Sequence, residues 1–496
     1  MIISVLEHPR IHSEKRFNDI ANTPLWSCLM GGYAVSMMEQ SGHEVEFYDT
    51  TVSHWDFKKT KEEILNLSPD LLCVNCIYIW EHTDEVFNLF TDLKSAGFKG
   101  HINLFGFFPT LAYQPLLNKV KSVDSIAVGE FEYTVSELAD RLCKGKEWRD
   151  IPGIAYHSSK GVKLTSQRIP ETNPDRFPFP RRAISHNKTA SLLASRGCYN
   201  HCSFCIVPSF YNNGARWNGR SPKNIIKEIS MLIDQGISDF YFTDPNFIGP
   251  GGKGRHRTLD LIEQIPSLNI TFGIETRAND LDPEIMENLV SAGLHTMLLG
   301  IESGSHCILK HINKGASINS GEKAIKLCRS VEIEPEIGFL MFVPDSTLED
   351  LNYNMEFLHQ NNLLNRLDRT ANLLSHCQIV LMGTPGYKKY LSSGRLTPTG
   401  ALGFEGKISF IDQKVKWISE LVIFASLFVL DNMSGEDSPI YWRKNKDSPE
   451  LKGVNDYLVS LFQRLLTEAQ KNSILPPINA MKVDLKREML RKIFSK

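Results

Sequence analysis

The apolar and polar positions of the first 150 residues alternate between two periods. Short apolar runs, typical of buried strands, are followed by segments with an apolar residue every three or four positions, typical of amphipathic helices. This alternation predicts a parallel sheet covered by helices on both faces, a Rossmann-like α/β domain over residues 1–150. The predicted strands are 2–7, 44–49, 71–78, 101–107 and 125–128, and the predicted helices are 25–40, 61–67, 84–96, 111–120 and 133–143.

Prolines then interrupt the pattern. Five of them fall at positions 152, 170, 174, 178 and 180, with few periodic segments between them. Proline fixes the backbone angle φ and keeps a chain extended, so residues 151–186 are predicted to be a Pro-rich linker between domains.

The strand and helix alternation resumes at residue 187 with longer helices, and each crossover is long enough to join two parallel strands. Residues 187–395 are therefore predicted to form a partial (β/α)6 barrel of the TIM type. The six predicted strands are 191–195, 239–243, 270–275, 296–301, 334–342 and 372–380, and the helices are 222–235, 257–265, 283–292, 317–330 and 347–360.

Residues 396–496 contain three amphipathic patterns, around 414–430, 454–471 and 483–493, and predict a helical C-terminal cap. The apolar face of the first pattern would face the barrel mouth or a hydrophobic substrate. The alternative is that it serves ordinary helix packing. Its members are Trp417, Leu421, Val422, Phe424, Phe428 and Leu430.

Composition narrows the class of protein. A net charge of −2 over 496 residues gives no general attraction to nucleic acid or anionic membranes, and no apolar stretch is long enough for stable membrane insertion. Ten cysteines without a secretory signal indicate reduced thiols. The sequence thus predicts a cytoplasmic protein that does not bind nucleic acid.

Three of the cysteines, Cys198, Cys202 and Cys205, lie in one short loop after an apolar run, with C-x3-C-x2-C spacing. Thiolates favour iron–sulfur clusters, zinc or copper(I), and three of them can hold three corners of a [4Fe–4S] cube and leave one iron open. A zinc site would need a fourth ligand. His201 lies between two of the thiols, where chelation by all four side chains is sterically awkward.

Polar residues follow the predicted strands at the carboxyl ends, where barrels and α/β sheets bind ligands. In the N-terminal sheet, glycine-containing turns cover 106–110 and 129–132, and no G-x-G-x-x-G follows the first strand, which disfavours NAD or FAD. Cys73 and Cys76 fit core packing. In the barrel, the residues at strand ends are Asp244, Asn246, Glu275, Arg277, Glu302 and Ser303, and they are either solvated loop residues or site residues.

The order of these motifs resembles the cobalamin-binding-domain-containing radical S-adenosylmethionine (SAM) enzymes, which include class B methyltransferases and the anaerobic magnesium-protoporphyrin ester cyclase group. The cysteine loop, the G-I-E-S-G at 300–304 and the E-T-R-A-N at 275–279 carry the likeness over roughly residues 1–395. The chain departs from the family at Phe105 and Phe131, where glycine is usual, and at Asp345. It also lacks the Asp-x-His-x-x-Gly that supplies a lower cobalt ligand.

The resemblance implies roles for particular residues. The cysteines would bind a [4Fe–4S] cluster, and Phe204 would pack on the adenine of SAM. Glu302 and Arg277 are candidates for the ribose and methionyl ends of SAM. Further SAM candidates are Asp244, Asn246, Glu275 and Ser303, and the cobalamin candidates are Gly106, Thr110, Gly129 and Glu130.

The resemblance also implies an activity. Cleavage of SAM to a 5′-deoxyadenosyl radical would activate an unreactive carbon of a small, secondary-metabolite or lipid-like substrate, and methylcobalamin would methylate it. An external one-electron donor such as flavodoxin or ferredoxin would be needed. The alternatives are a radical cyclase, oxidase or rearrangement enzyme of the same family and, from another class, a non-catalytic cobalamin or redox sensor. No catalytic residue follows from the motifs.

Overall fold

The computed structural model describes residues 1–10, 29–183, 188–211, 216–434 and 449–494. Within these ranges no helix has the length and apolar character to cross a membrane. The predicted helix at 25–40 is described only from residue 29, and residues 184–186 of the predicted linker lie outside the described ranges.

The N-terminal region forms one seven-stranded sheet with the order β2-β1-β3-β4-β5-β6-β7. Strands β1 to β5 pair in parallel, which confirms the predicted α/β fold. Its strands are β1 Ile3–Glu7, β2 Val45–Asp49, β3 Leu71–Asn75, β4 His101–Phe105, β5 Ser125–Ala127, β6 Ile154–Ser158 and β7 Gly161–Leu164. Its helices are α1 Leu29–Gln40, α2 Thr50–Ser53, α3 Phe57–Leu67, α4 Thr83–Ser95, α5 Phe107–Lys119 and α6 Glu132–Cys143.

Two of the predicted strands in this sheet were too long. Strand β4 ends at Phe105 because Gly106 has φ of 109°, which turns the chain directly into helix α5. The segment 107–110, predicted as a turn, is therefore the first turn of that helix. Strand β3 likewise ends at Asn75. Cys73 and Cys76 pack in the core, as predicted, and the structure places them on opposite sides of the sheet.

The proline-rich segment contains two strands that the sequence did not predict. Strands β6 and β7 form an antiparallel hairpin that pairs with β5 and extends the N-terminal sheet to Leu164. The chain then crosses helix α1, where the Arg181 carbonyl oxygen would lie 2.1 Å from a Cβ on Gly32. Only glycine permits this close approach, and the Arg181 amide donates to the Gly32 carbonyl there over 3.2 Å.

The second region is the barrel, a five-stranded parallel sheet with the order β14-β13-β12-β11-β8. These strands are β8 Thr189–Leu192, β11 Asp239–Phe242, β12 Thr271–Arg277, β13 Leu294–Glu302 and β14 Glu336–Phe339. A separate antiparallel pair holds β9 Ser195–Cys198 and β10 Arg216–Gly219. The helices of this region are α7 Val207–Phe210, α8 Pro222–Ile233, α9 Gly251–Ile262, α10 Pro283–Ser291, α11 His306–His311, α12 Ile318–Ser330 and α13 Leu348–Gln360.

The sixth barrel strand, predicted at 372–380, was wrong over its first half. Residues Leu367–Ser375 form helix α14, and the sixth position is taken by a single parallel bridge between Phe342 and Cys377. The apolar residues of this segment serve helix packing first and sheet pairing only after Ser375, which a short apolar run cannot distinguish.

The C-terminal region begins with a small three-stranded sheet and ends in three helices. The sheet contains β15 Val380–Leu381, β16 Leu396–Thr399 and β17 Glu405–Ile408, with α15 Pro385–Ser392 between its first two strands. The helices α16 Gln413–Ser434, α17 Pro449–Lys471 and α18 Ile478–Phe494 match the three amphipathic patterns. Trp417, Leu421 and Val422 are buried in one core with the barrel strands, so this apolar face serves ordinary helix packing.

Candidate functional site

The cysteine loop lies at the carboxyl end of the barrel sheet and begins on strand β9. Gly197, with φ of 74°, is needed there because a Cβ would lie 1.9 Å from the Arg216 carbonyl oxygen on the paired strand. Two backbone hydrogen bonds connect the loop to neighbouring segments. The Ser203 amide donates to the Ile312 carbonyl over 2.8 Å, and the Gly386 amide donates to the Ser203 carbonyl over 2.7 Å.

The three thiols suit an iron–sulfur cluster in chemistry and setting. Burial raises the pKa of Cys198, and it raises the pKa of Cys205 to about 12, so both thiolates need a positive partner to exist at neutral pH. The Asn200 amide nitrogen lies 3.1 Å from the Cys202 sulfur. Among the described residues no three Cys, His, Asp or Glu side chains converge enough to hold a single metal ion. A cluster needs no such convergence, since each thiolate binds its own iron.

Arg277 connects the cysteine loop to the loop after helix α11. Its Nε donates to the Tyr199 hydroxyl over 3.1 Å, and its Nη2 donates to the carbonyl oxygens of Lys314 and Gly315. The Tyr199 hydroxyl in turn donates to Asp280 over 2.7 Å. The structure thus brings Arg277 to the cysteines, as expected of a site residue, but most of its donors are engaged by the protein.

Glu302 forms a buried ion pair that the sequence did not predict. The Lys314 Nζ lies 2.8 Å from Glu302 Oε1, with side-chain exposures of only 6% and 11%. Burial alone would lower the pKa of Lys314, but Glu302 and the Cys202 sulfur together outweigh it, and the pKa is raised. Glu302 has φ of 72°, a left-handed conformation that is uncommon outside glycine and that re-aims its side chain at the end of β13.

Three other predicted site residues, Asp244, Asn246 and Ser303, form hydrogen bonds with other residues of the protein. Asp244 accepts hydrogen bonds from the Ala194 amide and the Ser195 hydroxyl, and so positions the chain just before the cysteine loop. Asn246 donates to Asp280 over 2.8 Å. The Ser303 hydroxyl donates to Asn354 over 2.7 Å and is fully buried against helix α13.

Glu275 and Phe204 are the two remaining SAM candidates, and their surroundings differ. Glu275 accepts a hydrogen bond of 3.1 Å from the Tyr241 hydroxyl, and burial raises the pKa of Glu275 to about 7. Phe204, next to Cys205 in the chain, is half-buried and packs against Ile308, Ile312 and Val343.

On the opposite side, the N-terminal sheet presents its own carboxyl edge. Gly106 and Gly129 have φ of 109° and 84° at the ends of β4 and β5. The Gly129 amide donates to the Thr110 hydroxyl over 3.0 Å, which ties the two turns together. Phe105 is fully buried in the sheet core, and it stacks on Phe131 with ring centroids 4.4 Å apart. Phe105 therefore points away from the edge.

A narrow cleft lies between this edge and the barrel. Its walls are mostly aromatic and aliphatic, and they include residues of both regions. The lining residues are Leu29, Met30, Tyr33, Phe107, Phe131, Glu132, Leu193, Ser195, Arg196, Phe210, Tyr211, Thr243 and Pro245.

Arg196 crosses between the two regions. It lies two residues before Cys198, and its Nη1 lies 3.0 Å from Glu130 and 2.6 Å from Glu132. Neither Arg196 nor Lys314 was identified from the sequence. Glu130 lies 66 residues from Arg196 along the chain, and Glu302 lies 12 residues from Lys314 with helix α11 between them. Neither separation follows a periodicity that would mark an ion pair in the sequence.

Comparison with known proteins identifies the barrel. Residues 192–358 match the model of the radical SAM superfamily. The chain contains a radical SAM domain. The matched residues begin just before the cysteine loop and end in helix α13, so they include the three cysteines, Arg277, Glu302 and Lys314. The prediction of a radical SAM enzyme from the sequence is confirmed.

The similarity of this radical SAM protein to known proteins extends beyond the domain. An uncharacterised methyltransferase from Pyrococcus horikoshii is 26% identical over 66% of this chain and 71% of the relative. An anaerobic magnesium-protoporphyrin IX monomethyl ester cyclase from Rubrivivax gelatinosus is 26% identical over 69% of this chain and 63% of the relative. The chain thus spans under two thirds of the second relative's length.

Among solved structures, the cobalamin-dependent SAM radical enzyme OxsB, with aqua-cobalamin and SAM bound, aligns with a TM-score of 0.71 and 18% identity. The alignment covers 99% of this chain and 84% of OxsB. This likeness confirms the predicted fold class, in which a Rossmann-like region, a radical SAM barrel and C-terminal helices follow one another.

Proposed function

We propose that this radical SAM enzyme binds cobalamin in the cleft and transfers a methyl group to an unactivated carbon of a small molecule. The observation that carries the proposal is the position of the cleft. It lies between the glycine turns of the N-terminal sheet and the strand that carries Cys198. The name of the Pyrococcus relative, a methyltransferase, and the cobalamin-dependent activity in the name of OxsB support the proposal.

The N-terminal edge fits a corrin ring on two counts. Gly106 and Gly129 have positive φ, which lets the chain turn tightly at the carboxyl edge of the sheet, where α/β folds bind their ligands. The cleft walls are largely apolar, which suits a large flat ring. The Thr110 hydroxyl connects the two turns by accepting the hydrogen bond from the Gly129 amide. Glu130 is already paired with Arg196 and shapes the site through that pair.

On the barrel side, the cluster would be held by Cys198, Cys202 and Cys205, and SAM would lie between Phe204 and the Glu302–Lys314 pair. Lys314 and Arg277 place two positive charges near the thiols, where they favour the thiolate form. When bound, the cluster, SAM and cobalamin supply the electron, the radical and the methyl group. The protein orients them and excludes water, and an external electron donor such as flavodoxin or ferredoxin belongs to the proposal.

One experiment tests the activity. Anaerobically reconstituted protein is incubated with cobalamin, a reductant and SAM that carries a deuterated methyl group, together with candidate small molecules. Methylation predicts a product that gains the deuterated methyl group. A product formed without that label, while SAM is cleaved, would instead support a cyclase or oxidase, the reaction class of the Rubrivivax relative's name.

The cluster assignment has its own test. Changing Cys198, Cys202 and Cys205 to Ala together should abolish the brown colour, the bound iron and all SAM cleavage. The matched control changes Cys143 and Cys307, two exposed cysteines, to Ala and should keep all three. A full iron content in the triple variant would refute the assignment.

A further inference from the structure

Arg196, Glu130 and Glu132 form a buried ion cluster across the cleft. Their side chains are 8%, 6% and 1% exposed, so the charges are withdrawn from water. Arg196 comes from strand β9 of the barrel, whereas both carboxylates follow strand β5 of the N-terminal sheet. Such a cluster is stable only when each charged atom finds a partner.

Glu130 meets this requirement, and the guanidinium of Arg196 is held by aromatic rings as well as by the carboxylates. The guanidinium of Arg196 packs 4.8 Å from the ring of Tyr33 and 4.0 Å from the ring of Phe177, which fixes its plane. Glu130 uses one oxygen for Arg196 and the other to accept a 2.6 Å hydrogen bond from the Glu171 amide.

Glu132 does not meet it. Its Oε1 pairs with Arg196, but its Oε2 is buried and has no hydrogen-bond partner among the residues that the structure describes. A buried carboxylate oxygen without a donor is costly and rare, and it calls for a specific explanation. Because Glu132 also lines the cleft, a ligand there can supply the missing donor.

We infer that Glu132 accepts a hydrogen bond from a primary amide on the rim of the corrin, while its other oxygen holds Arg196. The inference rests on the proposed function, because a corrin carries several such amides and the cleft walls are otherwise mostly apolar. Glu132 is then a positioning residue. It connects the ring to a strand whose Arg196 lies two residues from the first cluster cysteine.

The test is a binding titration of cluster-reconstituted protein with aquacobalamin, followed by its visible spectrum. In Glu132→Gln the side-chain oxygen stays on Arg196 and the amide group turns its own N–H towards the corrin amide. We expect the dissociation constant to rise about 10- to 150-fold, the effect of losing one charge-assisted hydrogen bond. Glu137→Gln, on the same helix but paired with Arg141 and Arg168 outside the cleft, should leave the constant unchanged.

A second probe needs no variant. Cobalamin derivatives with a single rim amide hydrolysed to an acid are titrated into the wild-type protein. The derivative that lacks the recognised amide should bind far more weakly than aquacobalamin, since two carboxylates would face each other. Glu132→Gln should lose most of this discrimination.

The outcomes separate the two claims. If the wild type binds aquacobalamin and either Glu132→Gln binds it equally well or every acid derivative binds like the parent, the inference about Glu132 is wrong and the cobalamin site stands. If the wild type takes up no aquacobalamin, the cobalamin part of the proposed function falls, and the inference falls with it.

Discussion

Glu302 and Lys314 show how single residues shape the site. The pair is buried beside the cysteine loop, and Glu302 holds a left-handed backbone conformation at the end of β13. A buried pair of this kind adds little stability by itself, because the loss of water offsets the attraction between the charges. We therefore propose that the unusual backbone conformation of Glu302 serves ligand binding and not stability.

We predict that Glu302→Gln raises the dissociation constant for SAM about 10- to 150-fold, the effect of losing a charge-assisted hydrogen bond, while iron content stays near normal. Calorimetric titration of anaerobic protein measures the first quantity, and iron analysis measures the second. Glu287→Gln, exposed on helix α10, serves as the control. An unchanged constant would place Glu302 outside the SAM site.

At the scale of elements, Asp345 joins three segments behind the cysteine loop. It accepts hydrogen bonds from Tyr390 of α15 and, over 2.8 Å, from Arg395, and it lies 3.3 Å from His311 of α11. Burial acts to raise the pKa of Asp345, but these partners outweigh it and hold the pKa well below its usual range.

A lowered folded-state pKa stabilises the fold above the unfolded value, about 3.9 for Asp, and the contribution is lost as pH falls below it. Asp345→Asn should therefore cost about 1.5–3 kcal/mol at pH 7, the size of a charged hydrogen bond. The gap to the wild type should narrow as pH falls below about 4. Thermal unfolding at several pH values measures this gap. Asp84→Asn, which breaks only an exposed pair with Lys119, should change stability by less than about 1 kcal/mol. A gap that stays constant with pH would contradict the assignment.

At the scale of the whole molecule, the barrel and the C-terminal helices share one core. Phe342, at the end of the barrel sheet, stacks on Phe462 of α17 with centroids 6.1 Å apart, and both rings are fully buried. The N-terminal region also contacts the C-terminal region, through a 2.6 Å hydrogen bond from the Tyr78 hydroxyl to Glu405. The helices are thus structural parts of the barrel.

Phe462→Ala should lower the free energy of unfolding by about 3–5 kcal/mol, the usual cost of truncating a buried phenylalanine. Because the core is shared, the barrel and the helices should still unfold in one transition. Urea denaturation followed by circular dichroism measures both quantities. Ile474→Ala, at a residue that is 87% exposed, is the control. A separate early transition of the helices would show that they form an independent cap.

The sequence by itself determined the local features of this protein. The alternation of periods predicted the α/β sheet and the three C-terminal helices, and the spacing of Cys198, Cys202 and Cys205 predicted the chemistry of the loop. These signals lie within a few neighbouring residues, so they can be detected without knowing where the rest of the chain lies.

The tertiary structure alone decided which distant segments meet. The hairpin β6–β7 joined the sheet because β5 offered an open edge, and Leu367–Ser375 became a helix because the core with α16 and α17 favoured that packing over a sixth strand. Likewise, Arg196 with Glu132 and Lys314 with Glu302 are pairs across folded elements. Their energies depend on burial and on distances through space, neither of which the local pattern of residues contains.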